Sequence, residues 1–361
     1  MADIRRSSFV FCRVFSEIVA GFSKNFEEEA DVDGKPSFAS RFALMTIAGL
    51  AAVACVTTAV APVSGQSSPP GLWTMKAPLP AVRGETAAVE FDGKLQEIGG
   101  SMGGIAGPYH EEYDPATDSW RPRAPLPESR DHVAVAIAGN KIYAFGGFVA
   151  TVHKGAGASA FEYDPANDTW KTLTPMKGPR GSAGAVTIDG KIHVIGGRGL
   201  DGVVVGTHEV YDPQTGKWSD AAPLPSPRDH LAIIAVDGKI HAIGGRFKTP
   251  VERTGLHEIY DPATDKWFPG SPLPTPRSGV ASAYYHGMIM VLGGELPPDH
   301  TFPENEGYDP KTDKWTTLAP MPHGRHGFGG ATIGDNVYFV GGNLDPGGGA
   351  TTDQLIMFHL P

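Results

Sequence analysis

Residues 232–277 read AIIAVDGKIHAIGGRFKTPVERTGLHEIYDPATDKWFPGSPLPTPR. The alternating segment Ala232–Val236 runs into Asp237-Gly238, a two-residue turn signal for a hairpin. The returning strand, Lys239–Ile243, ends at Gly244-Gly245. A variable stretch follows, then a third strand that ends in Tyr260-Asp261-Pro262. An Ala-Thr-Asp turn leads to a fourth strand around Trp267, and Pro272-Leu273-Pro274 precedes Arg277. Four short strands in a unit of about 50 residues are the pattern of a propeller blade.

The unit recurs. Six tryptophans are each followed ten residues later by an arginine: Trp73/Arg83, Trp120/Arg130, Trp170/Arg180, Trp218/Arg228, Trp267/Arg277 and Trp315/Arg325. Gly-Gly doublets begin at Gly99, Gly146, Gly196, Gly244, Gly293 and Gly341, spaced by 47, 50, 48, 49 and 48 residues. A period of this length marks a repeat architecture. The pattern of apolar strand, Gly-Gly, Tyr-Asp-Pro and Trp resembles the Kelch motif over Leu72 to Pro361. The resemblance implies an all-β protein, a six-bladed Kelch β-propeller with four antiparallel strands per blade. Trp73 opens as a fourth strand with nothing before it to pair with, and one strand within Asp353–Leu360 follows the last Gly-Gly. The N-terminal strand is therefore expected to complete the last blade and close the ring, which removes an exposed edge.

Composition agrees with a turn-rich β fold: 47 Gly and 32 Pro in 361 residues. The net charge of −10 argues against a nucleic-acid partner. The two cysteines, Cys12 and Cys55, precede the repeats, so no disulfide framework is expected there. Residues 1–41 read as a leader, with an apolar series from Phe11 to Phe26 at helical spacing. Phe42–Ala61 is an uncharged run of 20 residues, long enough to cross a bilayer and ending in small residues. It reads as a signal peptide or signal anchor, with residues 62–71 as a linker and residues 72–361 as the propeller. The expectation is an extracytoplasmic protein, periplasmic or secreted, monomeric, touching a membrane only through its N-terminal segment.

Strand alternation places the start of the first strand and the end of the second on one face of the disc. That face carries the arginines and the variable stretches from Gly-Gly to Tyr, which are 12, 15, 13, 14 and 13 residues long. The Asp-Gly and Tyr-Asp-Pro turns fall on the other face and are nearly uniform. Function on a scaffold tends to live in variable loops, so the arginine face is the expected working face. Arg83, Arg130, Arg180, Arg228, Arg277 and Arg325 are expected to ring the channel mouth. They either brace neighbouring strands or form a funnel for an anionic small molecule, an acidic sugar or an acidic protein segment. In eukaryotic Kelch domains that capture acidic peptides, arginines of this loop type contact the ligand.

Beside the ring, the repeats diverge. Blades two and four carry Asp131-His132 and Asp229-His230, and blade six carries His326, one residue out of register. After the Gly-Gly doublets stand Ser101, Phe148, Arg198, Arg246, Glu295 and Asn343. His132, His230, His326, Arg198, Arg246 and Glu295 join the arginines as expected ligand contacts. Glu295, His230 and Asp229 are the candidates for acid–base work. His132, His230 and His326 come from alternate blades, which suggests three-fold placement about the axis.

Galactose oxidase resembles the chain in its blade pattern, but its copper site needs a Tyr–Cys crosslink and these blades hold no cysteine. The plant specifier proteins bind iron through a Glu-x3-Asp-x3-His motif. Here Glu295 and Asp299 fit, but the next position is Pro303 and the histidine is His300. Neither a metal nor another cofactor is expected. The periplasmic sialic-acid mutarotases are similar in six Kelch blades, export and an arginine-rich funnel, which implies Glu295, His230 and Arg228 as base, acid and carboxylate clamp. The expected function is recognition of a ligand or protein through the arginine face. An isomerase or mutarotase acting on an acidic sugar is the alternative.

Overall fold

Ala232–Val236 and Lys239–Ile243 pair antiparallel in register, from Ala232 opposite Ile243 to Val236 opposite Lys239. Asp237 and Gly238 connect them at φ values of 51° and 73°. Two left-handed residues make a turn whose twist matches that of the strands it joins. In the computed structural model, which describes residues 68–361, a hairpin with a two-residue turn starts each of six four-stranded sheets. Blade four continues with His257–Asp261 and Lys266–Pro269, in the order expected from the repeat. The expectations for the leader and the apolar run, and for the linker up to residue 67, lie outside the described residues.

Blade six is built from both ends of the propeller. Gly329–Ile333, Asn336–Val340 and Leu355–His359 are joined by Leu72–Lys76 as the fourth strand. Trp73 lies opposite Phe358 in that closing pair. The protein is thus a closed six-bladed β-propeller, and among the described residues there is no α-helix.

The apolar cores lie between blades. Tyr143 and Phe145 of blade two pack with Ile192, Val194 and Tyr211 of blade three, and Trp218 covers them from the outer strand. Leu95 and Tyr113 of blade one pack with Tyr338 and Val340 of blade six, so the ring of cores is continuous through the closure. Each indole then bonds to the preceding blade. Trp120 Nε1 donates to Ala77 O at 2.8 Å, Trp267 Nε1 to Ala222 O at 2.8 Å, and Trp73 Nε1 to Ala319 O at 3.0 Å.

The Gly-Gly doublets have a specific reason. The second glycine's N–H donates to the carbonyl of the next blade's arginine: Gly147 to Arg180 at 3.0 Å, Gly245 to Arg277 at 3.0 Å, and Gly342 across the closure to Arg83 at 2.7 Å. The first glycine sits at φ 64° at Gly146, and a Cβ there would lie 2.2 Å from Arg180 O. Only glycine allows that backbone and that approach together.

Candidate functional site

All six repeat arginines are buried, none more than 2 % exposed. Their guanidiniums do not form an open funnel: they turn into their own blades. Arg228 donates to the carbonyls of Gly244, Ser226 and Ala242 at 2.8, 2.9 and 2.8 Å and pairs with Glu258. Arg277 repeats this on Val291 O, Thr275 O and Glu306. Arg180 pairs with Glu209, and Arg83 with Glu97 and Glu111. Blades two and six have Phe161 and Ile356 where the others carry that third-strand glutamate. There Arg130 uses Ser159 at 3.0 Å with Glu128, and Arg325 uses Gln354 at 2.6 Å. A buried cation needs such partners, because desolvating an unpaired charge is costly; only Nε is left without an acceptor, in all but Arg228.

Two residues beyond each arginine the chain forms a belt around the channel. Glu85, His132, Ser182, His230, Gly279 and Gly327 all have positive φ, between 51° and 74°. His132 N donates to Glu85 O at 2.9 Å, Ser182 N to His132 O at 3.1 Å, and His230 N to Ser182 O at 3.3 Å. Gly279 N to His230 O, Gly327 N to Gly279 O, and Thr86 N to Gly327 O complete the circle. A left-handed conformation in a residue other than glycine costs about 1–3 kcal/mol, and such strain concentrates at functional sites. Four of the six belt residues accept it, and three of these are Glu85, His132 and His230.

The belt's small member, Ser182, lets its two histidine neighbours meet. His132 Nε2 lies 3.1 Å from His230 Nε2. His153, from the long loop of blade two, places its Nε2 3.2 Å from the same atom. Asp131 and Asp229, one residue before each belt histidine, hold the Nδ1 atoms at 2.7 and 3.0 Å. Arg246 reaches in from blade four: Nε to Asp229 Oδ1 at 3.0 Å, Nη1 to Glu295 Oε1 at 2.9 Å, and Nη2 to His230 Nε2 at 3.0 Å. Arg198 takes the other oxygen of Asp229 at 2.5 Å.

Burial pushes His132 down, but Glu85, whose Oε2 lies 2.9 Å from Nε2, and Asp131 overcome it and raise the imidazole to about 10. Burial would raise Glu85, but His132, joined by His326 and His230, holds it well below the usual carboxylate range. Burial and then the Arg246 guanidinium push His230 down to about 4. Burial, reinforced by His132, His230 and Arg246, pushes His153 far below the ordinary imidazole value. Asp229 is fully enclosed; burial would raise it, yet His230, Arg246 and Arg198 outweigh that and keep it ionised.

On the loop side, this cluster borders a cavity of about 290 Å³. Arg198, Arg246, Lys248 and His153 line it together with Glu85, Glu295 and His326. His326 stands between carboxylates, Nδ1 3.5 Å from Glu85 Oε1 and Nε2 3.5 Å from Glu295 Oε2. Glu295 also accepts from Gly347 N at 2.8 Å, and Asn343 Nδ2 donates to Glu85 at 3.1 Å. On the channel side, a space of about 120 Å³ is lined by the belt residues themselves.

The sequence profile of the KLHDC2/KLHL20/DRC7 Kelch-repeats domain matches residues 84–294, and that of the Kelch motif matches residues 276–322. The chain belongs to the Kelch-repeat family. Among solved structures it is similar to one described as "Structure of YjhT", with 18 % sequence identity and a TM-score of 0.66, covering 77 % of this chain and 96 % of that one. At that identity the likeness is one of fold. Among curated proteins there is no match.

In this Kelch propeller, His132, His230, Asp229, Arg198, Arg246, Glu295 and His326 come together at the mouth of the channel as a set, and the six repeat arginines stay outside it. The expected three-fold arrangement of histidines is replaced. His326 is at the register of Asp131 and Asp229, bridging to Asn343 as Asp229 bridges to Arg246, so it faces Glu85 and Glu295. The third imidazole is His153. Sequence reasoning missed it and Glu85. Aligning the repeats on their arginines would have shown Glu85 at the register of His132 and His230. His153 has no counterpart in the other repeats, and the only hint was that its loop is the longest, at 15 residues.

Proposed function

We propose that this Kelch propeller is a binding module that takes a small acidic ligand, such as an acidic sugar, in the cavity at the loop-side mouth of its channel. The observation that carries this reading is the composition of the cavity of about 290 Å³: Arg198, Arg246 and Lys248 share it with Glu85 and Glu295. Basic groups orient a carboxylate, and carboxylates accept hydroxyl hydrogens, so a polyhydroxylated acid meets both. A concave polar site at one end of a rigid scaffold is a common place for a small molecule. The repeat arginines serve this reading indirectly, by holding the loops that carry the cavity walls.

A second reading, a mutarotase for such a sugar, is supported by His326. Its ring lies between two carboxylates, and anomeric ring opening needs one group to take a proton and another to give one. Asp229, enclosed and shared by two guanidiniums and His230, fits a positioning role better than that of a base.

The experiment is calorimetric titration of the full chain with acidic sugars and their neutral counterparts, beside Arg198→Ala and Lys248→Ala. Binding of the acid alone, weakened at least tenfold in both variants, is the expected result. Equal binding of acid and neutral sugar, or unchanged affinity in both variants, overturns the reading. Exchange between anomers, followed by NMR with and without His326→Ala, decides for or against the isomerase.

A further inference from the structure

We infer that His132, His153 and His230 form a binding site for a divalent metal of the zinc class, with three protein ligands and a fourth position open to the cavity. This goes beyond the acidic-ligand reading and does not depend on it. Three observations carry it.

The nitrogen atoms converge as ligands do. Available ligand atoms of the three histidines all lie within 4.8 Å of one another. The Nε2 separations from His230 are 3.1 Å to His132 and 3.2 Å to His153. With zinc–nitrogen bonds of about 2.0–2.1 Å, a tetrahedral centre sets its ligand atoms about 3.3 Å apart. The ring centroids form a nearly equilateral triangle with sides of 4.8, 4.9 and 5.1 Å.

The lone pairs are aimed. Asp131 and Asp229 accept from Nδ1 of His132 and His230, which turns both Nε2 atoms to the centre, where Glu85 Oε2 at 2.9 Å from His132 and Arg246 Nη2 at 3.0 Å from His230 are the contacts a metal would displace. A carboxylate behind each metal-binding imidazole is the usual outer support of such sites. Phe148 packs edge-on against His132 and His153, with centroids 5.4 and 5.5 Å away, and gives the group an apolar wall.

The surroundings hold positive charge at the centre, which the His132 imidazolium now supplies and a bound metal would replace. The carboxylates of Asp131, Asp229, Glu85 and Glu295 stand against the guanidiniums of Arg198 and Arg246 and the exposed Lys248. Arg246 Nη2 now points at the imidazoles, 3.0 Å from His230 Nε2 and 3.3 Å from His153 Nε2. The guanidinium is planar and rigid, so making room moves it as a whole, and its bonds from Nε to Asp229 and from Nη1 to Glu295 shift with it. The small residues and the open spaces on both sides, about 290 and about 120 Å³, leave the fourth position to water or to an oxygen donor of a ligand.

The test is titration of the metal-free full chain with Zn²⁺ by calorimetry and with Co²⁺ by visible absorption, with no organic ligand present. The expected result is one metal per chain and the intense visible bands of tetrahedral Co²⁺. His153 lies on a loop, so His153→Ala should fold, checked by an unchanged melting temperature, and bind at least ~100-fold more weakly. Asp131→Asn should lose ~10–100-fold through the misdirected His132 ring. No uptake by the wild-type chain at micromolar metal, or uptake that persists unchanged in His153→Ala, overturns the site. Because no acid is present in the titration, either failure leaves the acidic-ligand reading to its own test.

Discussion

Trp73 Nε1 donates to the carbonyl of Ala319 at 3.0 Å, a bond between residues 246 apart in sequence. Its ring lies 4.9 Å from that of Phe358 and packs on the core shared by blades five and six. Five other tryptophans make the same kind of bond within the chain's order. Trp73 alone makes it across the closure.

Removing this ring should therefore open the propeller at its seam. Trp73→Ala should cost about 3–5 kcal/mol by chemical denaturation, the range for deleting a large packed side chain. Trp73→Phe keeps most of the packing and loses one hydrogen bond, about 1 kcal/mol. Trp218→Ala, inside the ring, should fall in the same 3–5 kcal/mol range, since Trp218 packs against Phe145 and Tyr211 in the same way. A near-neutral Trp73→Ala would mean that the closing strand contributes little to holding the ring.

The buried arginines separate bracing from binding. Arg277→Ala leaves Glu306 buried without its cation and the carbonyls of Thr275 and Val291 without this donor, so the loss should be about 3–5 kcal/mol. Affinity for an acidic ligand in the folded fraction should stay within a factor of two, since Arg277 lines neither channel space. A stable Arg277→Ala protein with weakened ligand binding would restore the funnel.

The Gly-Gly doublets make a sharper case. At Gly146 an alanine meets both a φ of 64° and the Arg180 carbonyl 2.2 Å from its Cβ. Gly146→Ala should cost more than the ~1 kcal/mol typical of a left-handed alanine alone, because the neighbouring blade must move as well. At Gly238, with φ 73° but nothing within 4 Å of a Cβ, the cost should stay near that conformational value. Thermal melts of the two variants measure the difference. Equal losses would show that the inter-blade contact adds nothing.

The architecture was legible because each structural device recurs at the same phase: the doublets and the tryptophan–arginine spacing read the same in six places, and a two-residue turn containing glycine joins the first two strands of every blade. The same regularity hid the site. Arg228 and its equivalents look like an electropositive ring in sequence, but a residue needed in every blade serves what every blade needs. Here that is a main-chain carbonyl for the preceding blade's doublet and a guanidinium for the third strand. What differs between blades makes the site. His132 and His230 were visible as departures from the repeat. Their meeting with His153 depends on a loop path, and on Ser182 being small enough for two rings to pass over it, and neither is written in periodicity.

Buried histidines give the stability of the protein its acid dependence. In blade three, His193 Nδ1 and His208 Nε2 lie 2.8 Å apart, and His208 Nδ1 donates to Ala222 O at 3.0 Å. His241 and His257 repeat the arrangement in blade four, at 2.8 Å. Burial lowers all four to about 4 from an ordinary 6.5, and it lowers His110 of blade one likewise. Between those values the unfolded chain binds more protons than the native one, so stability must fall as the pH drops from about 6.5 towards 4. Each histidine contributes a slope of at most about 1.4 kcal/mol per pH unit. His132 works oppositely, with its raised value, but its contribution is already complete below 6.5 and does not alter the slope in this window. Denaturant melts at pH 7.5, 6.0 and 5.0 should show the decline. Blade two offers the control: Tyr143 and Ala160 stand where His193 and His208 do. The double variant His193→Tyr/His208→Ala should therefore fold and lose stability less steeply with acid. An identical slope in the double variant would place the acid sensitivity elsewhere.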